Sequence, residues 1–165
     1  MSHSIELPQT ANKQEFYQEL ASQLGGLLTG ERDAIANAAN TASLLYHTLP
    51  DVNWVGFYFL KGGELVLGPF HGKPACVRIA MGRGVCGTAA EARRSVVVPD
   101  VNAFPCHIAC DTASRSELVV PLIAGGELMG VLDLDSPSHG RFDEDDRVGC
   151  ENLAAIYLAA SKEGA

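Results

Sequence analysis

Residues 118–135 read LVVPLIAGGELMGVLDLD, and this stretch decides the fold. Two runs rich in branched aliphatic residues flank Gly125 and Gly126. A pair of glycines between such runs is typical of the tight turn of a β-hairpin. The stretch therefore predicts two antiparallel strands joined by a two-residue turn.

Residues 53–67 predict a second hairpin, because a run rich in β-branched and aromatic residues is followed by a turn at residues 61–64. Gly68 and Pro69 predict the end of this hairpin, since both residues interrupt strands. Two shorter strands complete the set, at residues 76–79 and 96–98.

Apolar residues at helical spacing predict three helices outside these strands. They cover residues 11–28, residues 35–49 and a C-terminal segment opened by acidic residues at 143–145, which favour the positive end of a helix dipole. Small residues at 85–92 predict a short helix or a loop. Because hairpins join most consecutive strands, we expect an α+β domain over residues 1–165: a largely antiparallel central sheet with two N-terminal helices and one C-terminal helix packed on it.

The composition is typical of one soluble globular domain, since 47% of the 165 residues are apolar and 19% are charged. A net charge of −8 disfavours nucleic acid and anionic membranes as partners, because both attract basic proteins. The first ten residues lack the basic and apolar regions of a secretory signal, and no apolar run is long enough to span a bilayer. We therefore expect a cytoplasmic protein.

Five cysteines are too few for a disulfide scaffold, and their odd number leaves at least one unpaired. In the cytoplasm they would be kept as thiols, so we expect reactive, redox or metal chemistry rather than permanent bridges. Cys76 and Cys86 lie in or beside turns that contain glycine or proline. Cys106 and Cys110 lie in the long stretch of residues 99–117, which has no regular pattern and exceeds the length of an inert connection.

Three interpretations of these thiols compete. A zinc site would combine Cys106 and Cys110 with another cysteine or a histidine, but the sequence lacks the paired CxxC knuckles of such sites, and we predict no metal and no cofactor. Redox chemistry needs a nucleophilic thiolate and a second thiol that resolves the oxidised sulfur, which several loop cysteines can supply. Alternatively, each cysteine is a small buried apolar residue, the interpretation that the sequence favours for Cys150.

Two further patterns predict a pocket for a ligand. Trp54 and Tyr58 are four residues apart in a strand, so their side chains project from one face and could form an aromatic wall, although such stripes are also typical of a plain core. Asp133 and Asp135 share one face of their strand, where they repel each other unless a cation lies between them. A ligand ammonium or a metal ion would satisfy both, and exposure to solvent at the strand end is the alternative.

Six motifs are distributed along the chain: HGKPAC at 71–76, GRGVCG at 82–87, VPDV at 98–101, HIACD at 107–111, SRSE at 114–117 and VLDLDS at 131–136. Together they closely resemble those of the free methionine-(R)-sulfoxide reductases, enzymes built on a GAF domain. The resemblance runs over essentially the whole chain. It implies the α+β fold expected above, with a small closed pocket for free methionine sulfoxide.

The resemblance implies roles for three cysteines. Cys110 is the expected nucleophile, which attacks the sulfoxide sulfur, releases methionine and becomes a sulfenic acid. Cys76 is expected to resolve this acid as an intramolecular disulfide, which thioredoxin then reduces. Cys86 is the third cysteine of the family, a relay or an alternative partner.

The resemblance also implies how the pocket binds its substrate. Trp54 and Tyr58 match aromatic positions around the methyl group and side chain of the substrate. Asp133 and Asp135 match the carboxylates that hold its ammonium group. Glu117 matches an acid near the sulfoxide oxygen, and burial beside acidic neighbours is expected to keep it partly protonated. Family members are commonly dimeric, which implies a homodimer.

Two features leave this assignment open. Cys106 stands where the family usually has glycine, so it could form an off-pathway disulfide, act as a second resolving thiol or do nothing. A simple two-residue turn would pair Leu118 with Asp133 and turn Glu117 away from both aspartates, so either a bulge shifts the register or Glu117 precedes the strand. The alternative function is a non-catalytic GAF small-molecule sensor module, although a sensor normally carries an output domain, for which 165 residues leave no room.

Overall fold

The computed structural model describes residues 3–10, 12–105 and 112–161. Its elements follow along the chain as α1 (Lys13–Leu27), α2 (Ala34–Thr48), β1 (Trp54–Lys61), β2 (Glu64–Gly72), β3 (Arg78–Ala80), α3 (Gly84–Ala92), β4 (Val96–Val98), a 3₁₀ turn (Val101–Ala103), β5 (Ser116–Ala124), β6 (Glu127–Ser136) and α4 (Glu144–Ala160). Among the described residues, no helix combines the length and the apolar character that crossing a membrane requires.

One six-stranded sheet forms the centre of the fold, with the strand order β3-β2-β1-β6-β5-β4. Every pair of neighbouring strands runs antiparallel. Both predicted hairpins, β1–β2 and β5–β6, are present, so the α+β class and the antiparallel sheet are confirmed. Residues 85–92, for which the sequence predicts a short helix or a loop, belong to the helix α3.

Alternation along the strands gives the sheet two different buried faces. Val55 of β1 and Leu134 of β6 belong to the larger core, which packs the sheet against α1, α2 and α4. Tyr58 of β1 belongs to a smaller core with α3 on the opposite face. Because successive strand residues point to opposite faces, Asp133 and Asp135 lie on the side of Tyr58, as the sequence predicts.

A buried carboxylate anchors α4 to α1. Asp143 and Asp146 form a capping box at the start of α4, in which each side chain accepts a hydrogen bond from the backbone amide of the other. Asp146 also accepts hydrogen bonds from the Tyr17 hydroxyl at 2.7 Å and from Lys13 at 2.6 Å, and it pairs with Arg141 at 3.1 Å. These partners offset the cost of burying the charge of Asp146, so the helix layer is held firmly.

β2 is longer than the sequence predicts, because Gly68 and Pro69 do not end it. The register of β1 against β2 shifts next to Gly56, which pairs with Phe70 beyond the irregularity. Pro69 is compatible with this bulge, because an unpaired residue at a bulge does not need to donate a backbone hydrogen bond to the neighbouring strand. Because β2 continues to Gly72, which pairs with Trp54, the residues after Gly72 lie near the start of β1.

A bulge in the β5–β6 hairpin decides the position of Glu117. Gly125 and Gly126 form the predicted two-residue turn, with φ values of 57° and 79°. The register then shifts by one residue next to Gly130, and Glu117 pairs with Asp135. Of the two alternatives left open by the sequence, the bulge is therefore correct: Glu117 lies within β5, on the same face as both aspartates.

Gly130 makes this bulge possible, because its φ is +155° and a Cβ there would overlap the backbone oxygen of Tyr58. We predict that Gly130→Ala lowers the free energy of unfolding by about 3 kcal/mol, since the opposing backbone has little freedom to move. Gly126→Ala is the control, with a positive φ but open space around it, and it should cost about 1 kcal/mol. Urea denaturation measures both values; equal losses would show that the close approach at Gly130 contributes nothing.

Candidate active site

A cavity of about 50 Å³ lies on the α3 side of the sheet, between β1, β5, β6 and residues 73–75. This volume is a few times what one enclosed water molecule needs, so the cavity suits a small ligand. The structure brings together around it the pocket residues expected from the sequence and one of the expected redox cysteines: Trp54, Tyr58, Cys86, Glu117, Asp133 and Asp135.

One wall of the cavity is aromatic. The rings of Trp54 and Tyr58 stack with their centroids 6.0 Å apart, and Phe70 stacks on Trp54 at 5.2 Å. The polar ends of both cavity residues are hydrogen-bonded to the backbone: Trp54 Nε1 donates to the carbonyl of Lys73 at 3.0 Å, and the Tyr58 hydroxyl donates to that of Cys76 at 2.9 Å. The aromatic wall therefore holds the segment of Cys76 beside the cavity.

Three carboxyl groups line the same cavity. The β5–β6 register sets Glu117 opposite Asp135, and Asp133 lies two residues along β6. Glu117 and Asp133 are only 6% and 5% exposed. Within the described residues, Asp133 Oδ1 is buried and has no hydrogen-bond partner. A buried acceptor without a donor costs free energy, so the cavity is suited to a ligand that brings a donor.

Burial raises the pKa values of two of these acids, Glu117 and Asp133. Burial, and then the charges of Asp133 and Asp135, raise the pKa of Glu117 well above its usual value. Burial also raises the pKa of Asp133, to about 6, although hydrogen bonds with Glu117 and Cys86 act in the opposite direction by stabilising its carboxylate. Both shifts mean that the folded site favours the protonated form of each acid more than water does.

Cys86 joins these acids from the first turn of α3. Its sulfur lies 3.9 Å from Glu117 Oε1. Burial, followed by the charges of Asp133 and Glu117, raises the pKa of the Cys86 thiol well above its usual value. In this environment Cys86 is a neutral thiol rather than a nucleophilic thiolate.

The remaining cysteines lie in different surroundings. Cys76 is disulfide-bonded, whereas Cys86 and Cys150 are free thiols. Cys110, the predicted nucleophile, and Cys106 both fall outside those ranges. Cys150 is fully buried in the core between the helices and the sheet, and burial raises its pKa to about 12, as expected of a packing residue.

Sequence reasoning missed part of the lining, namely Lys73, Arg83 and Ser114. The Ser114 hydroxyl accepts a hydrogen bond from the side chain of Asn53 at 3.3 Å, which ties the chain before β5 to the start of β1. The glycines on either side of Arg83 are a signal for a turn that leads into α3. Ser114 begins the SRSE motif, but the motif does not indicate its role, because its contact with Asn53 joins segments that are distant in sequence.

Comparison with known proteins adds a second line of evidence. Residues 12–157 match the GAF domain family. The chain is 51% identical over 144 residues to the free methionine-R-sulfoxide reductase of Escherichia coli, with 87% of each protein covered. It is 57% identical over 140 residues to protein YtsP of Bacillus subtilis, with 84% of this chain and 86% of that protein covered.

The fold is also similar to that of a solved structure. The X-ray structure of the free methionine-R-sulfoxide reductase from Neisseria meningitidis in complex with its substrate matches with a TM-score of 0.92 and 43% identity. The match covers 98% of this chain and 96% of that one. The similarity therefore extends over nearly all of the sheet and helices.

Replacing Asp133 should change how stability depends on pH. Because the pKa of Asp133 is raised from 3.8 to about 6 on folding, the folded protein binds this proton more tightly than the unfolded chain does. Its carboxyl therefore destabilises the fold increasingly as the pH rises through this range. We predict that Asp133→Asn gains free energy of unfolding relative to the wild type between about pH 4 and pH 6, and keeps the gain at higher pH.

Denaturant unfolding over this pH range measures the effect. Asp145→Asn is the control, because Asp145 is an exposed carboxylate at the start of α4. Because this side chain is exposed, the replacement should change stability much less than Asp133→Asn does. A pH-independent difference between Asp133→Asn and the wild type would contradict the raised pKa of Asp133.

Proposed function

Because the chain belongs to the GAF domain family, in the group of the free methionine-R-sulfoxide reductases, we propose that it reduces free L-methionine (R)-S-oxide to L-methionine. The observation that carries this proposal is a small cavity shared by three carboxyl groups and an aromatic wall, with the segment of Cys76 held beside it. Groups suited to recognising an amino acid and to sulfur chemistry thus lie around one space.

Asp133 and Asp135 would bind the ammonium group of the substrate. An ammonium supplies three hydrogen-bond donors, and Asp133 Oδ1 is a buried acceptor without a partner among the described residues. The positive charge would also relieve the repulsion between the carboxylates. A methionine sulfoxide inside a polypeptide has no such charge, so this contact would select the free amino acid.

Trp54 and Tyr58 would enclose the methyl group and side chain of the substrate. Their stacked rings are held by hydrogen bonds to the backbone of residues 73–76, so the wall is oriented before a ligand arrives. Contacts between sulfur and aromatic rings are favourable, which suits a thioether product as well as the sulfoxide.

Glu117 would act as the acid and Cys110 as the nucleophile. A sulfoxide sulfur is a poor electrophile until its oxygen takes a proton, and the raised pKa of Glu117 favours the protonated form that can donate one. The thiolate of Cys110 then attacks this sulfur, the S–O bond breaks, and the oxygen ends on the cysteine as a sulfenic acid. The substrate sulfur gains two electrons, the cysteine sulfur loses two, and methionine leaves.

Cys76 would resolve the sulfenic acid. Its thiol attacks the oxidised sulfur of Cys110, a disulfide forms and water leaves. A dithiol reductant of the thioredoxin type then supplies two electrons and two protons. The position of Cys76 beside the cavity, and its presence in a disulfide, support this role. Cys86 would serve as a relay only as a thiolate, and burial, which raises the pKa of its thiol, disfavours that form.

A reducing compartment suits this cycle, because the resting enzyme needs free thiols. We therefore propose that the protein acts in the cytoplasm. We also propose that residues 1–165 form a single GAF domain that acts as a homodimer. Neither a nucleic acid nor a membrane is expected as a partner. A GAF domain that only senses a small molecule is the alternative function. Turnover of the sulfoxide distinguishes the enzyme from the sensor.

A single-turnover reaction separates the roles of the two cysteines. Reduced protein mixed with L-methionine (R)-S-oxide, without added reductant, should release about one methionine per chain and lose about two hydrogens in mass. Cys110→Ser should abolish the release, whereas Cys76→Ser should permit it and stop at the sulfenic acid. Chromatography measures the methionine, and mass spectrometry measures the protein.

Cys150→Ser is the control for these variants, since Cys150 lies in the core on the opposite face of the sheet. It should retain both the release and the disulfide. Reversed behaviour of the Cys110 and Cys76 variants would overturn the assignment of their roles. Absence of methionine release from the wild type would overturn the reductase and favour the sensor.

The ammonium contact predicts a sharp preference among substrate analogues. N-acetyl-L-methionine (R)-S-oxide keeps the sulfoxide but lacks the positive charge, so its kcat/KM should fall by at least about 100-fold, because a buried acceptor is left without its donor. The methyl ester is the matched control, since it retains the ammonium and should lose much less. Equal turnover of the N-acetyl compound would show that Asp133 and Asp135 do not recognise an ammonium.

A further inference from the structure

Three potential metal ligands meet at the floor of the cavity, each from a different element. Cys86 belongs to α3, Glu117 to β5 and Asp133 to β6. The sulfur and one carboxylate oxygen from each acid all lie within 4.8 Å of one another. None of the three residues is more than 6% exposed, so bulk water competes little for them.

A second observation indicates that the cluster is suited to a cation. Asp133 Oδ1 is buried and lacks a hydrogen-bond partner among the described residues, although its residue is nearly inaccessible. An acceptor in this position costs free energy unless a donor or a positive ion reaches it. The nearby thiol of Cys86, 3.9 Å from Glu117 Oε1, adds a ligand that an ammonium does not need but a metal ion uses.

We propose that Cys86, Glu117 and Asp133 bind a divalent ion of the zinc class when the cavity is free of substrate. One thiolate with two carboxylates matches the ligands of Zn²⁺, whereas Mg²⁺ and Ca²⁺ prefer oxygen ligands alone. Three protein ligands leave a fourth position, which water would fill. Small side-chain rotations suffice to bring donor atoms at these separations to one ion.

Binding requires an exchange of protons for the metal ion. Metal ligands bind in their deprotonated form, so any proton held by the Cys86 thiol or by the two carboxyl groups is released to solvent. The ion would engage Asp133, proposed to bind the substrate ammonium, and Glu117, proposed to act on the sulfoxide oxygen, so metal and substrate exclude each other. This competition, unlike the metal site itself, rests on the proposed function.

Cadmium is the probe, because its bond to a thiolate absorbs in the ultraviolet. Wild-type protein with the Cys76 disulfide intact is titrated with Cd²⁺, and the absorbance is compared with that of Cys86→Ser and Cys150→Ser. We expect Cys86→Ser to lose the thiolate absorbance and to bind more than about tenfold more weakly, since even outer-shell partners contribute 10–100-fold. Cys150→Ser should behave as the wild type.

Asp133→Asn tests the site without removing a thiol. It should weaken Cd²⁺ binding by more than about tenfold but retain the thiolate absorbance at saturation. The proposed site would be overturned if Cys86→Ser kept the wild-type thiolate absorbance or Cd²⁺ affinity. It would also be overturned if Asp133→Asn kept the wild-type Cd²⁺ affinity. L-methionine should displace the bound Cd²⁺. If it does not, the proposal that metal and substrate compete for the cavity is wrong. Methionine release is measured separately, so neither result bears on the reductase activity.

Discussion

The crowding of three carboxyl groups on one buried face of the sheet is the constraint on which the rest of the site depends. Glu117 and Asp135 are direct neighbours across β5 and β6, and Asp133 lies beside them. In this setting burial, and then repulsion from both aspartates, raise the pKa of Glu117 and favour its protonated form. The same acids hold Cys86 as a neutral thiol, so one electrostatic arrangement sets the chemistry of several groups.

A comparison of two buried aspartates shows how this fold separates structure from reactivity. Asp146 is surrounded by Tyr17, Lys13 and Arg141, which satisfy its oxygens and join α4 to α1. Asp133 is equally inaccessible but has an oxygen without a partner among the described residues. The first arrangement stabilises the helix layer, whereas the second leaves an unfavourable charge that a positive ligand can relieve. The apolar core beneath the helices supplies the stability that such a site requires.

The cysteines are divided by their surroundings rather than by their type. Cys150 is a packing residue in the apolar core, where its thiol contacts only the Tyr17 hydroxyl among polar groups of the described residues, while burial and nearby acids raise the pKa of Cys86. Cys76 lies in the segment that the Tyr58 hydroxyl holds beside the cavity, and it is disulfide-bonded.

The sequence by itself determined the antiparallel sheet and the face on which each strand residue lies, because turns and period-two alternation are local properties. It placed Trp54 and Tyr58 together, and Asp133 with its neighbour, for the same reason. Only the tertiary structure decided that Glu117 joins them, since the one-residue bulge depends on the close approach of Gly130 to β1. The protonation of Glu117 and Cys86 was likewise decided there, because burial and the proximity of charges from separate strands exist only in the assembled fold.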